Sequence, residues 1–378
     1  MTETILTNAV LVLPDRTLDG TIVIRDGAIA AIEPGCAAAP AAQDMDGDYL
    51  LPGVVDVHTD NLERQVQPRT AARWPSRSAM VAHDAQCAAA GVTTVFDALC
   101  LGDLGFDSER IETFHNGVAD LDALSGTGLL KADHYLHLRC ELPAPDMPGL
   151  VDPVADHKLV RMVSLMDHSP GVGQYRDLDR YRQMRARSGM PMAEIEARIA
   201  HLIDQRARLS DRHRRWLLDR VAARALPTAS HDDWDADEVR RNRADGILIS
   251  EFPVSAEAAR AAREAGMEII AGAPNIVRGG SHSGNVAAAE LVRDGLVDAF
   301  ASDYVPASLI EAAFLCAADT GIALPEAVAL VTDRPARMVH LDDRGRLAPG
   351  LRADLVRVRV HDGQPVVRQV WREGVRVA

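Results

Sequence analysis

Cysteine is scarce in this chain. Five residues among 378 (Cys36, Cys87, Cys100, Cys140 and Cys316) lie far apart, with no CxxC spacing. That excludes a disulfide frame or a cysteine zinc knot and reads as reduced, mostly buried thiols. No apolar run reaches the ~18–20 residues that a membrane span needs. The opening Met1-Thr2-Glu3-Thr4 has no basic n-region, so a cytoplasmic location is expected. No GxGxxG phosphate loop is present, which counts against a doubly wound dinucleotide-binding sheet. Positive charge is also in deficit. A net charge of −14 excludes general nucleic-acid binding, yet leaves room for an anionic ligand held locally by metals and arginines.

What is present fits a globular α/β protein, 47% hydrophobic and 25% charged. Its length suits a barrel of ~250 residues with a smaller appendage. The two ends carry the appendage. Residues 5–13, 21–24 and 28–32 are short β-rich runs, the last two joined by Asp26-Gly27. At the other end residues 355–360 alternate, Asp362-Gly363 and Glu373-Gly374 mark turns, and residues 369–372 and 375–377 follow. Neither end has enough strands to bury a face alone. Together, residues 1–50 and 345–378 are expected to form one small β-sandwich, with residues 37–42 as a surface loop.

Between them, over 51–344, strand-like and helix-like runs alternate. Eight strand-like runs span 54–58, 93–98, 134–140, 159–167, 226–231, 246–251, 268–273 and 297–302, with helical stretches such as 255–265 and 308–319 between them. Eight near-continuously apolar runs in βα alternation predict a (β/α)₈ barrel with its helices outside. Residues 171–226 break the alternation with 13 Arg, no Lys and 7 Asp or Glu. Their spacing predicts two or three inserted helices with a break at Ser188-Gly189-Met190-Pro191. The insertion could cap a site, supply arginines to it, pack on another subunit or be a solvated face.

The ends of the runs carry the chemistry. The first ends in His58-Thr59-Asp60, and strand alternation puts His58 and Asp60 on one face. The third places His137, Arg139 and Glu141 on one face, and the fourth ends in Asp167-His168. The fifth ends in His231-Asp232-Asp233 and the eighth in Ser302-Asp303. One such residue is commonly a structural hydrogen-bonder. Several converging on the carboxyl-terminal mouth of a barrel, where such folds place their active sites, point to a metal centre. Mixed imidazole and carboxylate ligation suits Zn²⁺, Mn²⁺, Fe²⁺ or Co²⁺.

The motif Leu51-Pro52-Gly53-Val54-Val55-Asp56-Val57-His58 resembles the amidohydrolase superfamily, as do Thr332-Asp333-Arg334-Pro335-Ala336-Arg337 and the stretch from Gly345 to Val356. The resemblance spans essentially the whole chain. It implies a metal-dependent (β/α)₈ barrel interrupting a small β-sandwich. Most members carry His-x-His after the first strand, where this chain has Asp60. His58-Thr59-Asp60-Asn61-Leu62-Glu63, Arg139-Cys140-Glu141-Leu142-Pro143, Asp167-His168-Ser169-Pro170-Gly171, Ser230-His231-Asp232-Asp233, Gly272-Ala273-Pro274-Asn275 and the segment from Arg278 to Asn285 resemble one branch. Its members act on α-D-ribose 1-methylphosphonate 5-triphosphate in the carbon–phosphorus lyase pathway.

That resemblance implies hydrolysis of a small anionic phosphorylated sugar to its 5-phosphate and pyrophosphate. It implies one or two divalent metals, Zn²⁺ foremost and Mn, Fe, Co or Ni otherwise. His58, Asp60, Glu141, His168, His231 and Asp303 are the expected ligands. Glu141 is expected to bridge, since Lys158 precedes its strand and is a poor candidate for carbamylation. Asp303 is also the expected catalytic base. The count places His168 on strand four and His231 on strand five, whereas the superfamily usually draws its histidines from five and six. Arg139, Arg278, Gly279, Gly280, Ser281 and His282 are expected to bind phosphate, the loop through its amides. Arg139 could instead pair with ligand carboxylates, and the loop could be a plain turn. Arg64 and Arg69 are weaker candidates. A deaminase or amidohydrolase acting on a C–N bond is the rival enzyme, and a metal-free scaffold the rival of another class. Neither nucleic acid nor membrane is expected as a partner, and a homodimer is the default assembly.

Overall fold

Two burial patterns divide the strands of the computed structural model, which describes residues 3–69, 72–105, 108–281 and 284–378. His282 lies outside the described residues. Strands at the chain ends expose part of one face, while the early central strands are buried throughout. The first part gives β1 (Glu3–Val12), β2 (Thr17–Arg25), β3 (Ala28–Pro34), β4 (Gln43–Asp44) and β5 (Tyr49–Pro52). The middle gives β6 (Val54–Thr59), β7 (Val92–Leu101), β8 (Asp133–Glu141), β9 (Val160–Met166), β10 (Thr228–His231), β11 (Ile249–Glu251), β12 (Glu268–Gly272) and β13 (Ala299–Ala301). The end gives β14 (Leu355–His361), β15 (Gln364–Arg372) and β16 (Val375–Arg376).

Both ends join one sheet among the described residues, in the order β16-β15-β14-β5-β1-β2-β3, with β4 beside β1. The predicted turns make its hairpins. Asp26-Gly27, Asp362-Gly363 and Glu373-Gly374 all have positive φ at both residues, the geometry that matches the twist of two-residue hairpins. Leu6, Leu11, Ile22, Leu50, Leu355 and Trp371 pack as a small separate core.

Strands β6 to β13 follow one another in sequence order, each parallel to the next. The ring closes where Thr59 bridges Asp303 in parallel. Val55, Val57, Phe96, Met162, Ile249 and Ile270 fill its interior, and a larger apolar layer lies between strands and helices. The architecture is the (β/α)₈ barrel expected from the alternation.

Between β9 and β10 the insertion contains helices Leu178–Arg187 and Met192–Ala222, broken at the predicted Ser188–Pro191 segment. Several of its arginines fasten it to the barrel. Arg206 pairs with Asp167 at 2.6 Å, Arg214 with Asp245 at 2.6 Å, and Arg220 with Asp152 and Asp156 at 2.7 Å each. Among the described residues, no helix is long and apolar enough to cross a membrane.

Candidate metal centre

The parallel strands bring their carboxyl ends to one mouth, and the sequence puts polar side chains at those ends. His58 is near the end of β6, Glu141 ends β8, His168 follows β9, His231 ends β10, Glu251 ends β11 and Asp303 follows β13. Asp60 precedes the helix Asn61–Val66. Below His58, the buried Asp56 accepts from Ser302 N–H at 3.1 Å and Ser302 Oγ at 2.5 Å. Strand one is thereby tied to strand eight beneath the mouth.

The centre is organised by two glutamates. Glu251, wholly buried, receives Nδ1 of His58 on one oxygen at 2.8 Å and Nδ1 of His231 on the other at 2.9 Å. Burial alone would raise its pKa. The imidazoles of His58 and His137, with the two ring hydrogen bonds, outweigh burial and hold it well below the usual carboxylate range. An ionised Glu251 can only accept, so both rings carry a proton on Nδ1. Glu141 repeats the arrangement on His168, with one oxygen on the backbone N–H at 2.8 Å and the other on Nδ1 at 2.6 Å. Burial opposes its charge, yet His168 and Arg139 keep its pKa below the ordinary value.

His58, His168 and His231 line one cavity of about 300 Å³, together with Asp60, Asp232, Asp303 and Arg139. The His58 and His231 rings stack with centroids 6.0 Å apart, and His168 meets His231 edge-on at 5.5 Å. Ligand atoms of His168, His231 and Asp232 lie within 4.8 Å of one another. Three imidazoles held through Nδ1 by carboxylates, on one cavity with three further carboxylates, form a donor set that fits a divalent ion.

Asp303 adopts a φ of 55°, a left-handed conformation that Asp tolerates better than most residues. Burial first, and the neighbouring Asp60 second, push its pKa up to about 7, against Arg139 and His231. Asp60 in turn meets Arg139 at 3.4 Å and Arg110 at 3.8 Å. Arg139 is buried, and its Nε has no hydrogen-bond partner. Arg278, Gly280 and Ser281 line the same cavity. Gly279 is exposed and makes the turn after the short helix Ala273–Val277, at a φ of 73°. Arg64 donates instead to the Tyr304 carbonyl at 2.8 Å. Lys158 is exposed beside Asp122.

Glu251 enters the site beyond the residues singled out from the sequence, and Asp232, named there beside His231 but not among the expected ligands, joins it. The signal for Glu251 was the one that served elsewhere, a carboxylate closing a strand-like run. His137 lies deeper, with Nδ1 on the Val57 carbonyl at 3.0 Å and Nε2 on Ser164 Oγ at 2.9 Å. Burial pushes its pKa down to about 3. The strand count places His168 after the fourth barrel strand and His231 on the fifth, as expected from the sequence.

The amidohydrolase family profile matches residues 217–378. The α-D-ribose 1-methylphosphonate 5-triphosphate diphosphatase of Escherichia coli (strain K12) is 41% identical over 376 residues, covering 99% of this chain and 100% of that protein. N-acetyl-D-glucosamine-6-phosphate deacetylase of Mycobacterium smegmatis superposes with a TM-score of 0.65 at 17% identity, covering 100% of both chains. N-isopropylammelide isopropylaminohydrolase of Burkholderia multivorans ATCC 17616 gives 0.63 at 19% identity, over 100% of this chain and 98% of that one. At such identities the two structures speak for the fold alone. The chain therefore belongs to the family of α-D-ribose 1-methylphosphonate 5-triphosphate diphosphatases, within the amidohydrolases.

Proposed function

We propose that this chain is a cytoplasmic, metal-dependent hydrolase that splits α-D-ribose 1-methylphosphonate 5-triphosphate into the 5-phosphate and pyrophosphate during phosphonate catabolism. The observation that carries this reading is the 41% identity, from end to end, to the E. coli enzyme of that name. The site chemistry supports it. His58, Asp60, His168, His231 and Asp303 would hold one or two divalent ions, Zn²⁺ first among them. A bound ion of this kind lowers the pKa of a coordinated water from 15.7 toward about 7.

The remaining steps belong to the protein. Asp303, poised near neutrality, accepts the proton of the attacking water. Glu251 and Glu141 fix the tautomers of the three histidines. Glu141, expected from the sequence as a bridging ligand, has both oxygens on His168 and takes this orienting role in the proposal. Arg139 and Arg278, with the loop at Gly280 and Ser281, face the triphosphate in the same cavity. A substrate with about four negative charges needs such donors, and a neutral cyclic amide does not.

Incubation of the purified, metal-loaded protein with the ribose 5-triphosphate, followed by ³¹P NMR, tests the proposal. Pyrophosphate should appear in step with the 5-phosphate. Absence of pyrophosphate with Zn²⁺, Mn²⁺, Fe²⁺, Co²⁺ and Ni²⁺ alike would reject it.

A further inference from the structure

A second set of ionisable side chains is enclosed between the barrel and the helix Ser76–Ala89. The side chains of His83, Asp97 and His134 have no exposed surface, and that of Asp84 has 3%. Their hydrogen bonds run in a line. Asn61 Nδ2 donates to His83 Nδ1 at 2.9 Å and to Gln86 Oε1 at 3.0 Å. Gln86 Oε1 also accepts from Gln65 at 2.6 Å, so the amides are mutually consistent. His83 must then carry its proton on Nε2, which donates to Asp97 Oδ1 at 2.7 Å. His134 donates through Nδ1 to Asp97 Oδ2 at 2.8 Å and through Nε2 to Asp84 Oδ1 at 3.2 Å. Asp84 also accepts from the backbone N–H groups of Lys131 and Ala132 at 2.9 to 3.0 Å.

The composition is that of a metal site, but every ring nitrogen already has a protein partner, so the line is complete without a cation. Buried charges are costly to desolvate and often contribute little net stability, so a network of this size calls for another use. Its position supplies one. Asn61 follows Asp60 directly. Thr59, on the other side of Asp60, pairs with Asp97 in the β6–β7 ladder. Both neighbours of Asp60 are therefore tied to one residue, Asp97: Thr59 to its backbone through sheet register, and Asn61 to its carboxylate through His83.

We infer that the line Asn61–His83–Asp97–His134–Asp84 is a positioning device that fixes Asp60 at the metal centre. The inference rests on reading Asp60 as a metal ligand. Outer partners of metal ligands are typically worth about 10–100-fold in metal affinity, and the line would act at that level without touching metal or substrate.

Co²⁺ affinity of the full-length protein, read from its visible absorption against a competing chelator, tests this. His83→Phe and Asn61→Leu should each weaken Co²⁺ binding by about 10–100-fold. The double variant should bind no more weakly than the worse single one, because both cut the same line. His83→Gln, which keeps an N–H for Asp97, should recover most of the loss, and it carries the test with Asn61→Leu if the Phe variant does not fold. Parent-like Co²⁺ affinity in either folded variant would overturn the inference, as would losses that simply multiply. Asp60→Asn separates the two readings. Unchanged affinity there would remove Asp60 from the metal and the positioning role with it. A loss at Asp60 with none at His83 or Asn61 would overturn the positioning role alone.

Discussion

The backbone N–H of Asp303 donates to the carbonyl of His58 at 3.0 Å, joining the end of the barrel to its beginning. The bond holds Asp303 over the centre in a left-handed conformation, with its carboxyl raised to about 7 by burial and by Asp60. Asparagine tolerates the same backbone, so Asp303→Asn should keep the fold while removing the base. Turnover should fall by about 10²–10⁴-fold, the usual range for a general base, and the metal-free variant should melt no lower than the metal-free parent, because a buried carboxyl of raised pKa is removed. A near-normal rate in that variant refutes the assignment.

Glu251 satisfies two ring N–H groups with two oxygens. In Glu251→Gln only one oxygen remains, so one ring faces an amide donor. Metal affinity should drop by about 10–100-fold, and stability by roughly 1–3 kcal/mol for the unsatisfied buried group. Zinc retained after chelator dialysis and the urea midpoint measure the two effects. Parent-like zinc retention would show that Glu251 does not orient the histidines.

Much of this centre was legible because its cues are local. Asp26-Gly27 and Asp362-Gly363 fix their turns by conformational permission alone, and apolar continuity through residues 54–58 and 93–98 needs no partner to be read. His58, Asp60, Arg139, His168, His231 and Asp303 line one cavity because parallel strands in βα alternation all end at one mouth. Glu251 escaped notice because its meaning lies in pairs, His58 being 193 residues away in sequence and His231 20. For Glu141, alternation fixes the face but not what waits there. Its contact with His168 depends on the path of the chain after β9.

Glu141 tests that contact. Removing its carboxylate in Glu141→Ala leaves the N–H and Nδ1 of His168 without their acceptors. The ring then loses both its tautomer control and its anchor. Metal content should fall after dialysis, by about 10–100-fold in affinity, and Glu141→Gln should fall less because it keeps one acceptor. Full stoichiometry in the Ala variant at limiting zinc would show that the glutamate neither orients nor binds.

Arg139 is buried and pairs with Asp60 at the wall of the cavity that both line. Its guanidinium can hold the carboxylate and a phosphate together, which the single ammonium of lysine cannot reproduce. Arg139→Lys should therefore raise KM for the triphosphate by about tenfold or more, the scale of one charge-assisted hydrogen bond. Steady-state kinetics on the ribose 5-triphosphate would show it. A parent-like KM would confine Arg139 to pairing with Asp60.

His134 allows a test away from the chemistry. Burial disfavours its charge, but Asp97 and Asp84 outweigh burial and lift its pKa to about 9. The unfolded side chain titrates near 6.5. Between those values the folded chain holds one more proton than the unfolded one, so stability must fall as pH rises. The contribution is complete below about 6.5 and is lost as pH passes through about 9. His134→Phe should be less stable at pH 6.5, by roughly 3–5 kcal/mol for a broken buried pair, and should lose less on going to pH 9. Both proteins are measured metal-free in excess chelator, because His134 belongs to the line that positions Asp60. Urea midpoints across that window decide the matter. Parallel curves would mean that His134 is not charged between its two aspartates.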